Sequence, residues 1–275
     1  MQKHHPSSSP QHYFLESYFV YNFYRRINLL HANSITTILF DLDGTLVHHL
    51  PSSLDVFLQI LAEKGIEQAE DAQTWPRVRR WIHYYWAQSP ELVADIDTFG
   101  ENGDLTEVFW ENYLRKKFSV AGISEEEVDE LLPQVAPLME ERYAPQSSVP
   151  ADVPPTLSAL RKERFTLGLV SNRSNPFQEE IEGLGLAEFF DFAITAGEVG
   201  SWKPDEKIFL HALKLAQSAP ENALYVGDNY YADIIGAQEA GLHSILVDPR
   251  GVFPNAECPV IDSVGELAGQ LGVNI

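Results

Sequence analysis

The segment "TTILFDLDGTLVHH" (residues 36–49) contains two aspartates, Asp41 and Asp43, one residue apart between an apolar run and a Gly-Thr turn. Carboxylates beside a buried strand lose hydration, and two of them repel each other, so the pair costs free energy unless a cation compensates it. An ordinary turn needs only one such residue. The pair therefore indicates a cation site.

Further polar residues follow the later apolar runs of the chain. Ser171 and Asn172 follow the second run, Lys203 precedes a helical stretch after the third, and Asp228 and Asp233 follow the fourth. In an open parallel sheet, ligands sit at the carboxyl ends of the strands. We therefore expect three or four carboxylates, a hydroxyl and a lysine around one cleft.

These groups suit a phosphorylated substrate. Oxygen ligands without an available thiolate favour Mg²⁺, which often shares a phosphate with the protein. A lysine and a small hydroxyl can hold the other phosphate oxygens. An aspartate on the metal can attack phosphorus and form an aspartyl-phosphate, and a second aspartate can then serve as acid and base.

The elements that must position these residues alternate between short apolar runs and amphipathic stretches. Nearly continuous apolar runs are typical of parallel strands that are covered on both faces. Five such runs occur, at residues 36–40, 165–170, 192–195, 223–227 and 244–247. Strand and helix in this rhythm predict an α/β fold with a doubly wound, Rossmann-like parallel sheet and right-handed crossovers.

Two helices are predicted between the later strands. Asn175 is a plausible N-cap with Pro176 at the first helical position, and a glycine lies beyond the helix. The second helix follows Lys203 and is expected to bury one broad face, made of Ile208, Leu210, Ala212 and Leu215.

Residues 52 to about 145 show helix signals and no convincing strand. Ser52 or Ser53 could cap a helix that Gly65 closes, with one apolar face made of Leu54, Phe57, Leu58 and Leu61. Asp104 and Glu107 have the spacing of a capping box, and the helix that they begin is expected to end in Arg115, Lys116 and Lys117. Ser124 and Glu127 have the same spacing at the start of another helix.

These signals predict an all-helical cap domain (51–145) inserted into a core domain (34–50 and 146–275), with a Pro/Ser-rich hinge at 143–155. Residues 1–33 form a separate N-terminal extension with many aromatic residues. A docking helix is the preferred interpretation of this extension, and a membrane-surface anchor or an irregular extension are the alternatives.

Four motifs, "DLDGTL", "VSN", "WKPD" and "GDNYYADIIGAQEAG", resemble in order and spacing those of the haloacid dehalogenase-like hydrolase superfamily. The resemblance covers about residues 36–250 and includes a helical cap after the first motif. It implies that Asp41 is the phosphoryl-accepting nucleophile and Asp43 the general acid/base, whose backbone carbonyl binds the metal. Ser171 and Lys203, with Asn172 beside them, match the phosphate-holding positions. Asp228 matches the metal-binding carboxylate, and Asp233 a ligand or a carboxylate next to one.

Asp43 separates the branches of this superfamily. Members that displace halide lack the second aspartate, because carbon–halogen cleavage needs no acid for the leaving group. The expected activity is therefore Mg²⁺-dependent hydrolysis of a small phosphorylated metabolite. A phosphomutase acting on a sugar phosphate and a phospho-ligand-binding protein without turnover remain alternatives.

Two further motifs lie outside this set. His48 and His49 are predicted to be solvent-exposed loop residues, because an aspartate-rich site already satisfies Mg²⁺. The stretch at 74–90 combines Arg77, Arg79 and Arg80 with several aromatic residues. It is either a cap face that binds an anionic or ring-containing leaving group or an amphipathic helix whose arginines balance an acidic surface.

Composition limits the partners. A formal net charge of −21 argues against binding to a nucleic acid polymer or an anionic membrane. No segment is apolar enough to predict a membrane span. The single cysteine, Cys258, excludes an internal disulfide and a cysteine-rich metal site, which fits a cytoplasmic location. The particular substrate and the oligomeric state stay open.

Overall fold

A parallel sheet forms the centre of the computed structural model, which describes residues 34–66, 73–101 and 104–273. The strands in chain order are β1 (Thr37–Phe40), β2 (His48–Leu50), β3 (Gly100–Glu101), β4 (Asp104–Leu105), β5 (Gln146–Ser148), β6 (Thr166–Ser171), β7 (Phe192–Thr195), β8 (Ala223–Gly227), β9 (His243–Val247) and β10 (Val260–Ile261). Six of them form the main sheet in the order β10-β9-β8-β1-β6-β7, and every neighbouring pair is parallel.

The predicted parallel α/β sheet is therefore confirmed, and the five predicted strands lie within one residue of their expected bounds. The apolar runs have a simple cause in β1. Ile38 and Phe40 pack into one core cluster, and Leu39 packs into a second cluster on the opposite face. Both faces of the strand are covered, so the three positions after Thr37 are all apolar. The sixth strand, β10, has two residues and gives no such signal.

Helices cover both faces of the sheet and fill the interval between β2 and β5. Their bounds are α1 (Ser53–Glu63), α2 (Thr74–Trp86), α3 (Pro90–Phe99), α4 (Glu107–Ala121), α5 (Glu125–Arg142), α6 (Val153–Lys162), α7 (Gln178–Gly183), α8 (Ala196–Val199), α9 (Glu206–Ala216), α10 (Gly236–Glu239) and α11 (Glu266–Gln270). Among the described residues, no helix is both long and apolar enough to cross a bilayer.

We call residues 51–145, which contain α1 to α5, the helical segment. It has apolar clusters of its own, in which Phe57 packs edge-to-face on Phe118 at 5.1 Å between ring centroids. The expectation of an all-helical insert is wrong in one detail, because β3 and β4 pair antiparallel. Strands of two residues are too short to produce an alternating pattern in the sequence.

The two ends of the helical segment lie side by side. β2, just before it, pairs antiparallel with β5, just after it, and Leu50 is directly opposite Gln146. The predicted hinge at 143–155 is thus partly regular structure: it contributes β5 and the start of α6. The prediction for residues 1–33 lies outside the described residues.

Two helix starts follow the predicted capping chemistry. The Ser52 side chain accepts from the backbone N–H of Asp55 at the start of α1, and Gly65 follows that helix with φ +71°. Ser124 and Glu127 form the expected capping box at the start of α5. These signals are local in sequence, which is why they could be predicted.

Other helix details were predicted incorrectly. α4 is capped by Thr106 instead of Asp104, because Asp104 pairs in β4, and it continues past Lys117 to Ala121. α7 begins at Gln178, beyond Asn175 and Pro176, because Phe177 is buried in the main core with non-helical backbone.

The buried face of α9 also differs from the predicted one. Ile208 and Ala212 are buried as expected, but Leu210 and Leu215 are 43% and 45% exposed. The remaining buried positions are Phe209 and Leu213. Because a helix offers several overlapping apolar stripes, its neighbours decide which one is covered.

Candidate active site

Asp41 and Lys203 form the buried centre of the candidate site. Asp41 directly follows β1 and is 6% exposed. The Lys203 ammonium donates to Asp41 Oδ1 at 2.6 Å, to Asp233 Oδ1 at 2.7 Å and to Tyr225 Oη at 2.9 Å. Burial opposes its charge, but the two carboxylates hold the pKa of Lys203 well above the usual value.

Three carboxylates converge beside this lysine. One oxygen each of Asp41, Asp228 and Asp233 lies within 4.8 Å of the others. Burial is the main reason that the pKa of Asp41 rises to about 7, although the charge of Lys203 acts to lower this pKa. Burial and the neighbouring carboxylates raise the pKa of Asp228 well above its usual value. One ammonium cannot neutralise three carboxylates, so the donor set fits a small divalent cation with oxygen ligands.

Two glycines allow these carboxylates to approach the backbone. Gly44 has φ +92°, and a Cβ atom there would lie 2.4 Å from Asp228 Oδ2. A Cβ at Gly227 would lie 2.3 Å from Asp233 Oδ2. Both distances are far below van der Waals contact, so a side chain at either position would displace a carboxylate of the cluster.

Asp233 is held by an irregular helix. Residues Tyr230–Ile235 form a single π-helical stretch, a rare form that often occurs at functional sites. The Asn229 side chain caps it by accepting from the N–H groups of Tyr231 and Ala232, while the Asn229 N–H donates to Asp233 Oδ2 at 2.9 Å. Together with Lys203, these bonds leave the Asp233 carboxylate with a fixed orientation.

Ser171 is the last residue of β6 and Asn172 follows it. Both lie at the same edge of the sheet as Asp41, where the parallel strands have their carboxyl ends. Ser171 is 1% exposed, and both residues line the same cavity as Asp41. The Asn172 side chain accepts from the Lys203 N–H at 2.7 Å and donates to the Lys203 carbonyl at 2.9 Å. Asn172 therefore fixes the backbone of the loop that carries the lysine.

The surroundings of Asp43 include residues that the sequence analysis missed. Arg173 makes a two-pronged ion pair with it, from Nε to Oδ2 at 2.8 Å and from Nη2 to Oδ1 at 2.6 Å, and also pairs with Glu180. His49 Nε2 lies 2.7 Å from Asp43 Oδ1. Burial alone would raise the pKa of Asp43, but Arg173 and His49 lower it below its usual value.

The prediction that His48 and His49 are exposed loop residues is wrong. Both lie in β2 and are half-buried, because β5 pairs with that strand. The sequence offers little that would reveal the contact of Asp43 with Arg173, since the two residues are 130 positions apart. The position of Arg173 directly after the "VSN" motif is the only available hint.

A cavity of about 480 Å³ opens above these residues. From α2 it is lined by Ile82, His83 and Trp86, and none of the three arginines of that helix lines it. Arg77 donates to the Val120 carbonyl, Arg79 to Asp55 and Arg80 to the Val252 carbonyl. The arginines therefore follow the second interpretation of this stretch, whereas Trp86 lines the cavity, where the first interpretation places a ring-binding residue.

Comparison with known proteins agrees with this geometry. The model of the haloacid dehalogenase-like hydrolases matches residues 35–241. The chain belongs to this family of hydrolases.

Two relatives and one solved structure illustrate the similarity. A human haloacid dehalogenase-like hydrolase domain-containing protein 3 is 36% identical over 162 residues, which are 57% of this chain and 61% of that protein. A phosphoserine phosphatase of Thermus thermophilus is 31% identical over 229 residues, or 79% of this chain and 90% of that enzyme. The structure of a predicted phosphoglycolate phosphatase from Haemophilus somnus is similar in fold, with a TM-score of 0.52, 17% identity and coverage of 86% and 97% of the two chains.

Proposed function

We propose that the protein is a Mg²⁺-dependent phosphomonoester hydrolase that acts on a small phosphorylated metabolite through an aspartyl-phosphate. The observation that carries this proposal is the buried Asp41 beside Lys203 and two further carboxylates, with Asp43 two residues away. The similarity to a phosphoserine phosphatase supports the same reaction class.

In the first step, a carboxylate oxygen of Asp41 attacks phosphorus and the bond from phosphorus to the ester oxygen breaks. The carboxyl group of Asp43 donates its proton to the departing oxygen. In the second step, water attacks the phosphorus of the aspartyl-phosphate, Asp43 takes a proton from that water, and Asp41 and inorganic phosphate are released.

The other residues bind and orient the phosphoryl group. The carboxylates of Asp41, Asp228 and Asp233 and the backbone carbonyl of Asp43 would hold Mg²⁺, which would supply positive charge to the phosphoryl oxygens. Lys203 and Ser171 hold further phosphoryl oxygens, and Asn172 keeps the Lys203 loop in place.

We also propose that residues 51–145 act as a cap domain on a core domain formed by residues 34–50 and 146–275. The separate apolar clusters of the helical segment and the pairing of its two ends in β2 and β5 support this division. A cap that closes over the cavity would exclude bulk water during phosphoryl transfer.

The test measures phosphate release from a panel of sugar phosphates, phosphoglycolate, phosphoserine, nucleotides and a chromogenic ester, with Mg²⁺ and with EDTA. We expect release that depends on Mg²⁺ and that is abolished in Asp41→Asn but retained in Asp97→Asn, a matched change at an exposed position. Transfer of phosphate to a second sugar hydroxyl would instead indicate a phosphomutase. Binding without turnover in the folded, Mg²⁺-loaded protein would indicate a phospho-ligand-binding protein.

A further inference from the structure

The cavity above Asp41 has two chemically different ends. Its floor carries the aspartates and Lys203 described above. Its outer wall is mostly apolar and comes mainly from the helical segment, which also contributes His83 and Gln88. Trp202 is added from the loop before Lys203. The apolar wall residues are Ile82, Trp86, Leu92, Ile96, Leu105 and Trp202. If the phosphoryl group lies on the floor, the leaving group lies against this wall.

Within the described residues, the helical segment contributes no charged side chain to this wall. The two cations of the cavity are already committed, Arg173 to Asp43 and Glu180, and Lys203 to Asp41 and Asp233. A carboxylate or second phosphate on the leaving group would lose hydration there without gaining a partner, so its binding is disfavoured.

Trp86 gives the wall a flat aromatic surface with a fixed position. Its indole N–H donates to Tyr113 Oη at 3.0 Å, so the polar atom of the ring is already used. The ring also packs against Tyr85, Phe109 and Trp110. A ring of the leaving group could pack against it without any rearrangement of the helical segment.

Besides Gln88, a neutral polar group next to this surface comes from His83. Its Nδ1 atom is buried and has no hydrogen-bond partner in the part of the chain that the structure describes. Burial lowers the pKa of His83 to about 4, so the imidazole is uncharged at neutral pH. An uncharged ring nitrogen can exchange one hydrogen bond with a hydroxyl or carbonyl substituent, but it cannot neutralise an anion.

We propose that the site selects phosphate monoesters of neutral, ring-containing alcohols and discriminates against leaving groups that carry a carboxylate or a second phosphate. This inference rests on the proposed phosphatase function and deepens it. The proposed substrates differ from phosphoserine, the named substrate of the Thermus thermophilus relative, because phosphoserine carries an ammonium and a carboxylate.

The first test compares benzyl phosphate with 4-carboxybenzyl phosphate at pH 7.5 with Mg²⁺. Both release a primary benzylic alcohol, so their chemistry is matched and the distal charge is the main difference. We expect kcat/KM to favour the neutral ester by about 30-fold or more, with most of the difference in KM. Equal or better turnover of the carboxylated ester overturns the inference.

The same panel separates this inference from the proposed function. Hydrolysis of anionic metabolites with no hydrolysis of either benzyl ester would overturn the inference and leave the phosphatase function intact. An absence of phosphate release from every ester by the folded, Mg²⁺-loaded protein would overturn the proposed function itself.

The second test adds a cation to the wall. Ile96 lines the cavity, whereas Val93 on the same helix is 44% exposed and does not line it. We expect Ile96→Lys to reduce the preference for the neutral ester by about tenfold and Val93→Lys to leave it unchanged. Leu105→Lys repeats the change from a different element, in case the α3 variant does not fold. The same preference in wild-type, Ile96→Lys and Leu105→Lys proteins would contradict the proposed orientation of the leaving group.

Discussion

The two proposed steps require opposite protonation states of the Asp43 carboxyl group. The proposed first step needs it protonated, and the second step needs it ionised. Arg173 and His49 lower its pKa, which favours the ionised form. The upper pH limit of kcat/KM should therefore depend on its proton affinity, because only the protonated fraction of Asp43 can release the leaving oxygen.

Replacing Arg173 should move this limit. In Arg173→Gln the pKa of Asp43 rises, so the protonated form persists to higher pH and the alkaline limb of kcat/KM shifts upward. The measurement is the pH profile of kcat/KM, with Arg161→Gln as a control, because Arg161 pairs with Asp191 instead. An unchanged or downward-shifted limb would show that Arg173 does not control the proton on Asp43.

The three clustered carboxylates link the stability of the fold to metal binding. The pKa of Asp228 is well above its usual value, so the metal-free fold is destabilised by its charge. We expect Asp228→Asn to raise the metal-free melting temperature by about 3 °C and to abolish the rise of about 5 °C that excess Mg²⁺ should give the wild type. Thermal unfolding with EDTA and with Mg²⁺ measures both effects.

Asp97→Asn is the control for this experiment and should keep the Mg²⁺ response. Since Asp228 faces Asp41 and Asp233 whereas Asp97 is exposed on α3, only the first change relieves repulsion. A variant Asp228→Asn that still gains stability from Mg²⁺ would mean that this cluster does not bind the metal.

At the scale of single elements, α4 carries an unusual buried charge. Lys117 is 2% exposed, and its ammonium lies over the rings of Tyr113 at 4.7 Å and Phe57 at 5.2 Å. The described residues offer it no carboxylate. Burial lowers the pKa of Lys117 to about 8. The unfolded chain therefore binds this proton more tightly than the folded protein does between about pH 8 and 10.5.

A lysine whose folded pKa is depressed costs stability below about pH 8, and this cost disappears as pH rises toward 10.5. Relative to Lys117→Met, the wild type should therefore gain about 3 kcal/mol in free energy of unfolding between pH 7.5 and 10.5. Urea unfolding of both proteins at several pH values tests this, and a constant difference would contradict it.

The elements also show what the sequence can and cannot predict. β1 and β8 could be predicted because burial on both faces of a strand requires a continuous apolar run. The α5 capping box could be predicted because all of its partners lie within four residues. Leu210 was assigned to the wrong face of α9 because several apolar stripes overlap on that helix.

The candidate site likewise contains residues that could be predicted from the sequence and residues that could not. Asp41 and Asp228 follow apolar strands, so their meeting at one sheet edge could be predicted. Arg173 and His49 reach Asp43 only through the three-dimensional arrangement of β2, β6 and α7. The apolar wall of the cavity was equally hidden, because the arginines of α2 are more conspicuous in the sequence than Ile82 and Trp86.

At the scale of the whole molecule, α2 joins the helical segment to the residues that follow β8 and β9. Arg80 Nη1 donates to the Val252 carbonyl at 3.0 Å, and Asn229 Nδ2 donates to the His83 carbonyl at 3.0 Å. Tyr84 and Tyr231 also meet edge-to-face across this boundary. The wall of the cavity is therefore positioned relative to Asp41 by contacts on α2.

Weakening one of these contacts should affect substrate binding. Arg80→Ala removes a hydrogen bond from a charged donor, worth about 1.5 kcal/mol, so we expect KM to rise about tenfold with a smaller change in kcat. Arg77→Ala is the matched control, because Arg77 bonds to Val120 within the helical segment. Steady-state kinetics on the preferred ester measures both, and equal effects of the two changes would show that the contact across the boundary is unimportant.

The pairing of β2 with β5 holds the two ends of the helical segment side by side. Leu50 and Gln146 are directly opposite each other in an antiparallel pair, a separation that a two-residue turn can bridge. The chain could therefore be rejoined there with residues 51–145 deleted or exchanged, while the parallel sheet keeps its connections. The helical segment could therefore be replaced as a unit in protein engineering. A different segment joined to the same two strands would change the wall that contacts the leaving group. The aspartates at the sheet edge would keep their positions.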